Sequence, residues 1–390
     1  MDKVFRVELS GGNRRYCELD LPATNYEMLD ALERLQLKPG DKPDWEIIEH
    51  TGFQFLHVHL TGECDLYQLN ALANRLGQMN GRDKIAFEGL FNMEVAKKYG
   101  PISIRTMVDL AYSTDCCHVV EGANTDAKLG EFYAECGFMP ELENLPDSIF
   151  RLLDFDKLGE KMRLEDGGIL TNRGYVSQHA DLKQVYDTLP LQLQKPDYVF
   201  HLCIGRYPFE TNDQPETQIS LKLPAKPDEL ADALNACGAA SWDEVVFQAE
   251  DSAVPYLLEE LDCDGIEELN DLAKAIQYRA GRSELTKLKA VLHASDCHSI
   301  HTACYIAENL DDYVYEPDQR TAEEVAMEEL RFIVDEQSLA TLQKHVNLFN
   351  YGMDVIQETN AMMTPYGLVQ RRDGEPMMGI ESPTSGMTMQ

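Results

Sequence analysis

Two short runs open the chain in which apolar and polar positions take turns, residues 4–9 and 16–21. Such alternation predicts a pair of strands, joined through the turn-rich Gly11-Gly12-Asn13. A helix is expected next. Thr24-Asn25-Tyr26-Glu27 has the T-x-x-E form of a capping box, in which hydroxyl and carboxylate each satisfy an orphan amide. Met28, Leu29, Leu32 and Leu35 give that helix an apolar stripe. A further strand is expected at 45–48. Residues 53–60 set Phe53, Phe55, His57 and His59 against Gln54, Leu56, Val58 and Leu60, which predicts another. Leu66, Leu69, Leu72, Ala73 and Leu76 then have helical spacing. The rest, to about residue 195, reads as mostly helical and acidic, closing on a short apolar piece at 168–176.

The same order then returns. Leu19, Leu21, Pro22, Ala23, Glu27, Asp30, Ala31 and Leu32 recur as Leu221, Leu223, Pro224, Ala225, Glu229, Asp232, Ala233 and Leu234, an offset of 202. Both tryptophans match in order, Trp45 with Trp242. Leu69-Asn70, Leu72 and Ala73 answer to Leu269-Asn270, Leu272 and Ala273, and Gly81-Arg82 to Gly281-Arg282. Ser103-Ile104, Thr106 and Ala111 answer to Ser299-Ile300, Thr302 and Ala307; Thr171, Gly174 and Val176 answer to Thr364, Gly367 and Val369. The offset drifts while the order holds, as when loops gain and lose residues around fixed elements. We expect two tandem copies, at 1–195 and 196–390. Copy one divides at about 1–62 (α/β), 63–100 (helical) and 101–195 (helical with a closing strand), and 371–390 reads as a loose tail.

Charge changes this picture more than any motif does. Across 390 residues, 68 Asp and Glu face 34 Lys and Arg, a formal net charge of −34. Gripping nucleic acid through phosphates needs clustered cations, so that role is excluded, and adhesion to anionic membranes is disfavoured. The N-terminus shows no signal-peptide pattern, and no run reaches the ~18 apolar residues of a membrane span. Ten cysteines without a C-x-x-C pair read as reduced thiols in a cytoplasmic protein.

Candidate chemistry is sparse. His57 and His59 would share a strand face but lack a third ligand at useful spacing. His293, Cys297, His301 and Cys304, four, four and three residues apart, would align on one helical face, and zinc takes such ligands; a helix face with buried thiols and surface histidines is the plainer reading. Asp262-Cys263-Asp264-Gly265 fails the EF-hand pattern, because glycine arrives at position 4 and Ala273 stands at 12. No P-loop, nucleophile elbow or dinucleotide fingerprint occurs. We therefore expect no enzyme activity and no cofactor.

The acids are laid out in blocks. Residues 227–273 hold 14 acids and no Lys, Arg or His; residues 308–329 hold nine acids and only Arg320; residues 131–156 hold seven and only Arg151. Copy two carries net −23 against −11 for copy one. Glu323, Glu324, Glu328 and Glu329 interleave with Val325, Ala326, Leu330 and Ile333, so the segment can fold and turn carboxylates outward, which a disordered acidic tail cannot do. A solvated face is the bland reading. The sharper one is imitation of nucleic acid: 34 charges correspond to roughly 60 Å of duplex, and carboxylates at i and i+4 lie ~6 Å apart along a helix.

Several stretches resemble the ArdA antirestriction proteins of conjugative plasmids and transposons. They are the opening Val4-Phe5-Arg6-Val7 strand, the strands ending in Leu21-Pro22 and Leu223-Pro224 before an acidic helix, and WEIIEHTGF at 45–53. Leu66-x-x-Leu69-Asn70-x-Leu72 and its counterpart Ile266-x-x-Leu269-Asn270-x-Leu272 belong with them, and residues 145–176 are the strongest stretch. The resemblance implies an elongated, curved α+β protein: two tandem ArdA-like copies, each a small β-sheet and helix module followed by mostly helical acidic modules. It implies a DNA mimic that occupies the DNA-binding groove of a type I restriction-modification complex, without chemistry, and protects incoming mobile DNA. The chain is about twice the family's usual length, which implies a monomeric pseudo-dimer or a homodimer. The acids expected to carry the role are Asp243, Glu244, Glu250, Asp251, Glu259, Glu260, Asp262, Asp264, Glu267, Glu268, Glu323, Glu324, Glu328 and Glu329. In copy one they are Glu131, Glu135, Glu141, Glu143, Asp147, Asp154 and Asp156. The rivals are an acidic adaptor for another basic protein, and an enzyme with a metal-assisted site at His293, Cys297, His301 and Cys304.

Overall fold

A computed structural model describes residues 2–11, 15–38, 40–60, 64–97, 100–139, 142, 146–206, 218–260 and 265–378. The first half runs β1 (Phe5–Gly11), β2 (Arg15–Leu21), α1 (Asn25–Arg34), β3 (Asp44–His50), α2 (Leu66–Gly77), α3 (Gly81–Lys97), α4 (Ile104–Ala111), β4 (Cys117–Glu121), α5 (Asp126–Glu135), α6 (Asp147–Phe150), α7 (Phe155–Asp166), β5 (Ile169–Leu170) and β6 (Gly174–Gln178). The second runs β7 (Phe200–Arg206), β8 (Ile219–Leu223), α8 (Pro227–Ala236), β9 (Val245–Ser252), α9 (Leu257–Glu260), α10 (Ile266–Gly281), α11 (Leu285–Ala294), α12 (Ile300–Glu308), β10 (Tyr313–Glu316), α13 (Ala322–Ile333), α14 (Glu336–His345), α15 (Leu348–Glu358), β11 (Met362–Thr364) and β12 (Gly367–Arg371). The architecture is α+β, with small three-stranded antiparallel sheets ordered β2-β1-β3, β4-β6-β5, β8-β7-β9 and β10-β12-β11. Contacts divide the chain into two compact units: residues 1–23 with 39–193, and residues 24–38 with 194–390.

In the first unit, Phe5, Val7 and Leu9 of β1 turn to the core while Arg6 and Glu8 face water. β1 pairs with β2 on one edge and β3 on the other, with a register shift between Arg6 and Val7. α2 starts on Asp65, which accepts from Gln68 N while the Gln68 side chain accepts from Asp65 N. Its stripe Leu66, Leu69, Leu72, Ala73 and Leu76 is buried, and Asn70 reaches the segment after the cis Leu21–Pro22 bond. The Asn70 carboxamide accepts from Ala23 N at 2.7 Å and donates to Ala23 O at 2.9 Å, so both backbone groups of that residue are satisfied. α5 crosses α7 where Gly130 and Gly159 meet: a Cβ on Gly159 would lie 1.8 Å from Asp126 O.

Residues 53–60 are not the expected strand. Residues 54–56 form a helical turn, with Leu56 N donating to Phe53 O and His57 N to Gln54 O. Phe53 and Leu56 turn inward, next to a cluster of Phe55, Phe87 and Phe91. Alternation was misleading here because aromatic burial in a tight turn produces a similar pattern. His57 and His59 consequently part: His57 is exposed beside His50, while His59 Nδ1 accepts from Ile102 N.

The second unit repeats this construction. β7 pairs with β8 and β9, with its register shift between His201 and Leu202. Asn270 accepts from Ala225 N at 2.7 Å and donates to Ala225 O at 3.1 Å, again after a cis Leu-Pro bond. A Cβ on Gly352 of α15 would lie 1.8 Å from Ala322 O of α13, matching Gly159 against Asp126. Arg279, buried, donates to Ala307 O and Glu308 O, capping carbonyls at the end of α12. One sequence match shifts: Trp45 lies opposite Leu9 and Phe247 opposite Ile204, so the structural partner of Trp45 is Phe247, and Trp242 precedes the strand. Of the expected tail, Arg371 ends β12, Arg372 Nε donates to Asp311 O, and Met377 is buried; only 379–390 lie outside the described residues, as does the turn at 12–14.

α1 departs from the expected division at 195, because residues 24–38 pack with the second unit. Thr24 and Glu27 form the expected capping box, and Tyr26 joins the core built around Phe200, Leu202, Leu272 and Val291. Asp30, facing inward, receives the ammonium of Lys289 at 2.8 Å and the Tyr366 hydroxyl at 2.8 Å; Glu33 receives the same ammonium at 2.8 Å. Burial by itself would push the Lys289 ammonium down, but Asp30 and Glu33 hold it above the ordinary lysine value.

Candidate functional site

The acids named from sequence fall into three groups. Glu131, Glu135, Asp156, Asp243, Glu267, Glu268 and Glu323 are exposed on helices or turns, free of the core. A second group is exposed or half-exposed but serves local structure. Asp154 caps α7 and pairs with Lys157 at 2.9 Å; that hydrogen bond holds its carboxyl below the usual carboxylate range. Glu244 lies 3.4 Å from Arg206, Glu250 3.2 Å from His201, and Glu328 2.7 Å from Arg331. Glu324 closes the capping box of α13, accepting from Thr321 N and Arg320 N. Glu329 is half-buried.

Asp251 corrects the expectation of a surface acid. It is 9 % exposed, its carboxylate accepting from Thr24 Oγ1 at 2.6 Å and Tyr198 Oη at 2.8 Å, so it fastens α1. Its place at the register shift of β9 turns it inward, which the alternation of a regular strand does not reveal. Asp147, Glu259 and Glu260 lie in α6 and α9, and Glu141, Glu143, Asp262 and Asp264 lie outside the described residues.

The second unit gathers acids around a groove of about 440 Å³ between the end of β10 and α13, lined by Glu316, Asp318, Gln319, Glu323, Glu324, Met327, Glu328 and Arg331. Five carboxylates thus face one guanidinium. Arg320, the cation within this acidic run, is turned inward: it donates to Pro317 O at 3.0 Å, Pro365 O at 2.7 Å and Arg34 O. Within the groove Arg331 pairs with Glu328 at 2.7 Å, and Gln36 beyond α1 donates to Asp318 at its rim. Glu316 and Asp318 were not singled out from sequence, although the excess of acids over 308–329 marked the stretch. Glu323 and Glu324 also sit in the first helical turn, where the helix N-terminus favours negative charge, so packing the groove with carboxylates costs α13 little.

The suspected zinc ligands do not share a helical face. α11 ends at Ala294 and α12 begins at Ile300, so His293, Cys297, His301 and Cys304 are divided by a turn. Cys297 is buried with its thiol toward Ser299 O, and His293 packs edge-on against Tyr256. Burial, then the neighbouring Glu308, Asp271 and Glu268, push the Cys304 thiol up to about 11, away from the thiolate a metal needs. Among the described residues, no three His, Cys, Asp or Glu side chains gather as a metal site requires, and no helix is long and apolar enough to cross a membrane.

No family model matches the chain, and no curated protein matches it.

Proposed function

We propose that this chain is a DNA mimic, an ArdA-like antirestriction protein built from two tandem copies, acting in the cytoplasm without catalysis or cofactor. Its partner in this reading is the DNA-binding groove of a type I restriction-modification complex. The observation that carries it is the α13 groove: five carboxylates held on ordered backbone against one lining cation, Arg331. Glu324 and Glu328 stand one helical turn apart, ~6 Å along the axis, close to two base-pair steps. Support for duplication comes from the matched sheet orders, the twin asparagine clamps on Ala23 and Ala225, and the twin glycine crossings at Gly159 and Gly352.

The mechanism is competition. Carboxylates held on ordered backbone offer a basic channel negative charge already in place, so association is fast and screened by salt. The direct experiment titrates the purified chain into a type I restriction enzyme cutting unmethylated DNA. Stoichiometric inhibition at low ionic strength, fading as salt rises, is the expected result; full cutting activity at large excess and low salt overturns the reading.

A further inference from the structure

A cleft of about 700 Å³ opens in the first unit between the last turn of α3, the step from α7 into β5, and the residues that follow β6. Met93, Ala96 and Ile169 give it apolar wall. Both helices end at it, and a helix C-terminus favours a cation. Two carboxylates line it, Asp166 and Asp181, against one ammonium, Lys97, which is 60 % exposed and lies 3.6 Å from Glu94. Asp166 is fixed in place: the hydroxyls of Tyr133 and, at 3.3 Å, Tyr175 donate to it. Both reach the same oxygen, Oδ2, which leaves Oδ1 for another donor.

The second unit has the same corner, and there it is closed. Gln178 lies opposite Cys117 and Arg371 opposite Tyr313, while Ile169 lies opposite Val176 and Met362 opposite Val369. His179 N donates to Cys116 O, and Arg372 N to Asp312 O. Gly167 and Asn360 both stand at positive φ just before the short strand. By this register Gln178, Ala180, Gly167 and Asp181 correspond to Arg371, Asp373, Asn360 and Gly374. In the second unit the Arg371 guanidinium meets Asp373 through two hydrogen bonds, at 3.0 and 2.5 Å, and Asn360 Nδ2 donates to Gly374 O at 2.9 Å. The first unit can make neither closure. It has glutamine for the arginine, alanine for its carboxylate and glycine for the asparagine. Its carboxylates stand instead at Asp181 and at Asp166, the counterpart of Thr359.

We propose that this cleft binds an alkylguanidinium group, the group that an arginine side chain or a free guanidino compound carries. The counterpart corner holds a guanidinium of its own, whereas the first unit has the carboxylates without the arginine. Acceptors on two walls suit a planar fork of five donors better than a compact ammonium, and the apolar wall suits the methylene stem. The volume is that of a site for a whole small ligand. The proposal stands apart from DNA mimicry: the restriction assay and the titration below can fail separately.

Isothermal titration of the whole chain with a short, end-capped peptide bearing one central arginine tests it. Near-physiological salt keeps the net charge of −34 from gathering cations by itself. Saturable one-to-one binding is expected. Citrulline in place of the arginine, a neutral isostere, weakens it about tenfold or more, and lysine about threefold or more. Gly167→Asn, placed where nothing lies within 4 Å, and Gln178→Arg with Ala180→Asp, which supplies the corner with its own guanidinium, each weaken it about tenfold or more. Asp181→Asn, at an exposed position, weakens it severalfold and serves if a closing variant fails to fold. Glu323→Gln, in the other unit, leaves it unchanged. Arginine amide is the second probe: tighter binding of the peptide assigns the site to a polypeptide, and equal binding assigns it to a free guanidino compound, both in support. Titration without saturation, equal binding of the citrulline peptide, binding that the cleft variants leave unchanged, or a loss in Glu323→Gln as large as in Asp181→Asn overturns the proposal.

Discussion

Lys289, with 1 % of its side chain exposed, is neutralised where it stands by two carboxylates of α1, while the Tyr366 hydroxyl donates to the same Asp30 oxygen, Oδ1. Removing one partner of such a set leaves an uncompensated buried charge, which costs more than the intact set contributes. Lys289→Ala is therefore expected to destabilise the second unit by about 3–5 kcal/mol, whereas Lys289→Met combined with Asp30→Asn recovers much of the loss. Urea unfolding followed by the fluorescence of Trp242, in a Trp45→Phe background, measures both. The same cluster gives a pH dependence. Lys289, through its carboxylates, and Tyr366, chiefly through burial, have folded pKa values above their ordinary ones of 10.5 and 10.0. The native state thus binds these protons more tightly, so their contribution is fully present below about pH 10 and is lost as pH climbs through the higher folded values. The urea midpoint of the second unit should hold level from neutrality to that point and then drop. A drop already complete at neutral pH would contradict the assignment.

At the scale of elements, two devices recur: a glycine where paired helices cross, and an asparagine that clamps the turn into the following helix. A methyl group on Gly352 would meet Ala322 O at 1.8 Å, so α13 and α15 must part to admit it. Gly352→Ala should cost roughly 1–3 kcal/mol or more. Gly281→Ala, where nothing lies within 4 Å, should be neutral or stabilising by up to about 1 kcal/mol. Thermal unfolding of the two variants compares them directly. Asn270→Ala removes both partners of Ala225, a buried residue, and should cost about 2 kcal/mol or more by leaving its amide and carbonyl unsatisfied. The same substitution at Asn70 tests whether the first unit depends on its clamp equally.

On the scale of the whole molecule, a net charge of −34 opposes compaction, and the chain meets that cost with buried apolar stripes and inward-turned arginines. If inhibition of a restriction enzyme is Coulombic, no single carboxylate decides it. Glu323→Gln alone should change the inhibitory midpoint little. Glu316→Gln, Asp318→Asn, Glu323→Gln and Glu328→Gln together should raise it by on the order of tenfold at low salt and much less at high salt. Glu324 is left in place because it caps α13, so a loss of inhibition would not reflect a lost helix. Equal inhibition by the fourfold variant would remove the groove from the mechanism.

Local pattern determined a good deal by itself. The strand pairs before each Leu-Pro step, the capping box at Thr24, the apolar stripes beginning at Leu66 and Ile266, and a closing strand near 168–176 follow from alternation, helical spacing and turn chemistry. These are short-range, and each acts within a few residues. Fold class and the acidic character of 308–329 were legible for the same reason. Tertiary structure decided what depends on partners distant in sequence. It turned residues 54–56 into a helical turn to seat an aromatic cluster, drew Asp251 inward at a register shift, and split His293 from His301 across a turn. Above all it packed α1 with residues hundreds of positions away. Asp30 and Asp232 stand in the same sequence pattern, yet one is buried against Lys289 and the other faces water, because burial of a charge depends on its counter-ion and no local pattern contains one.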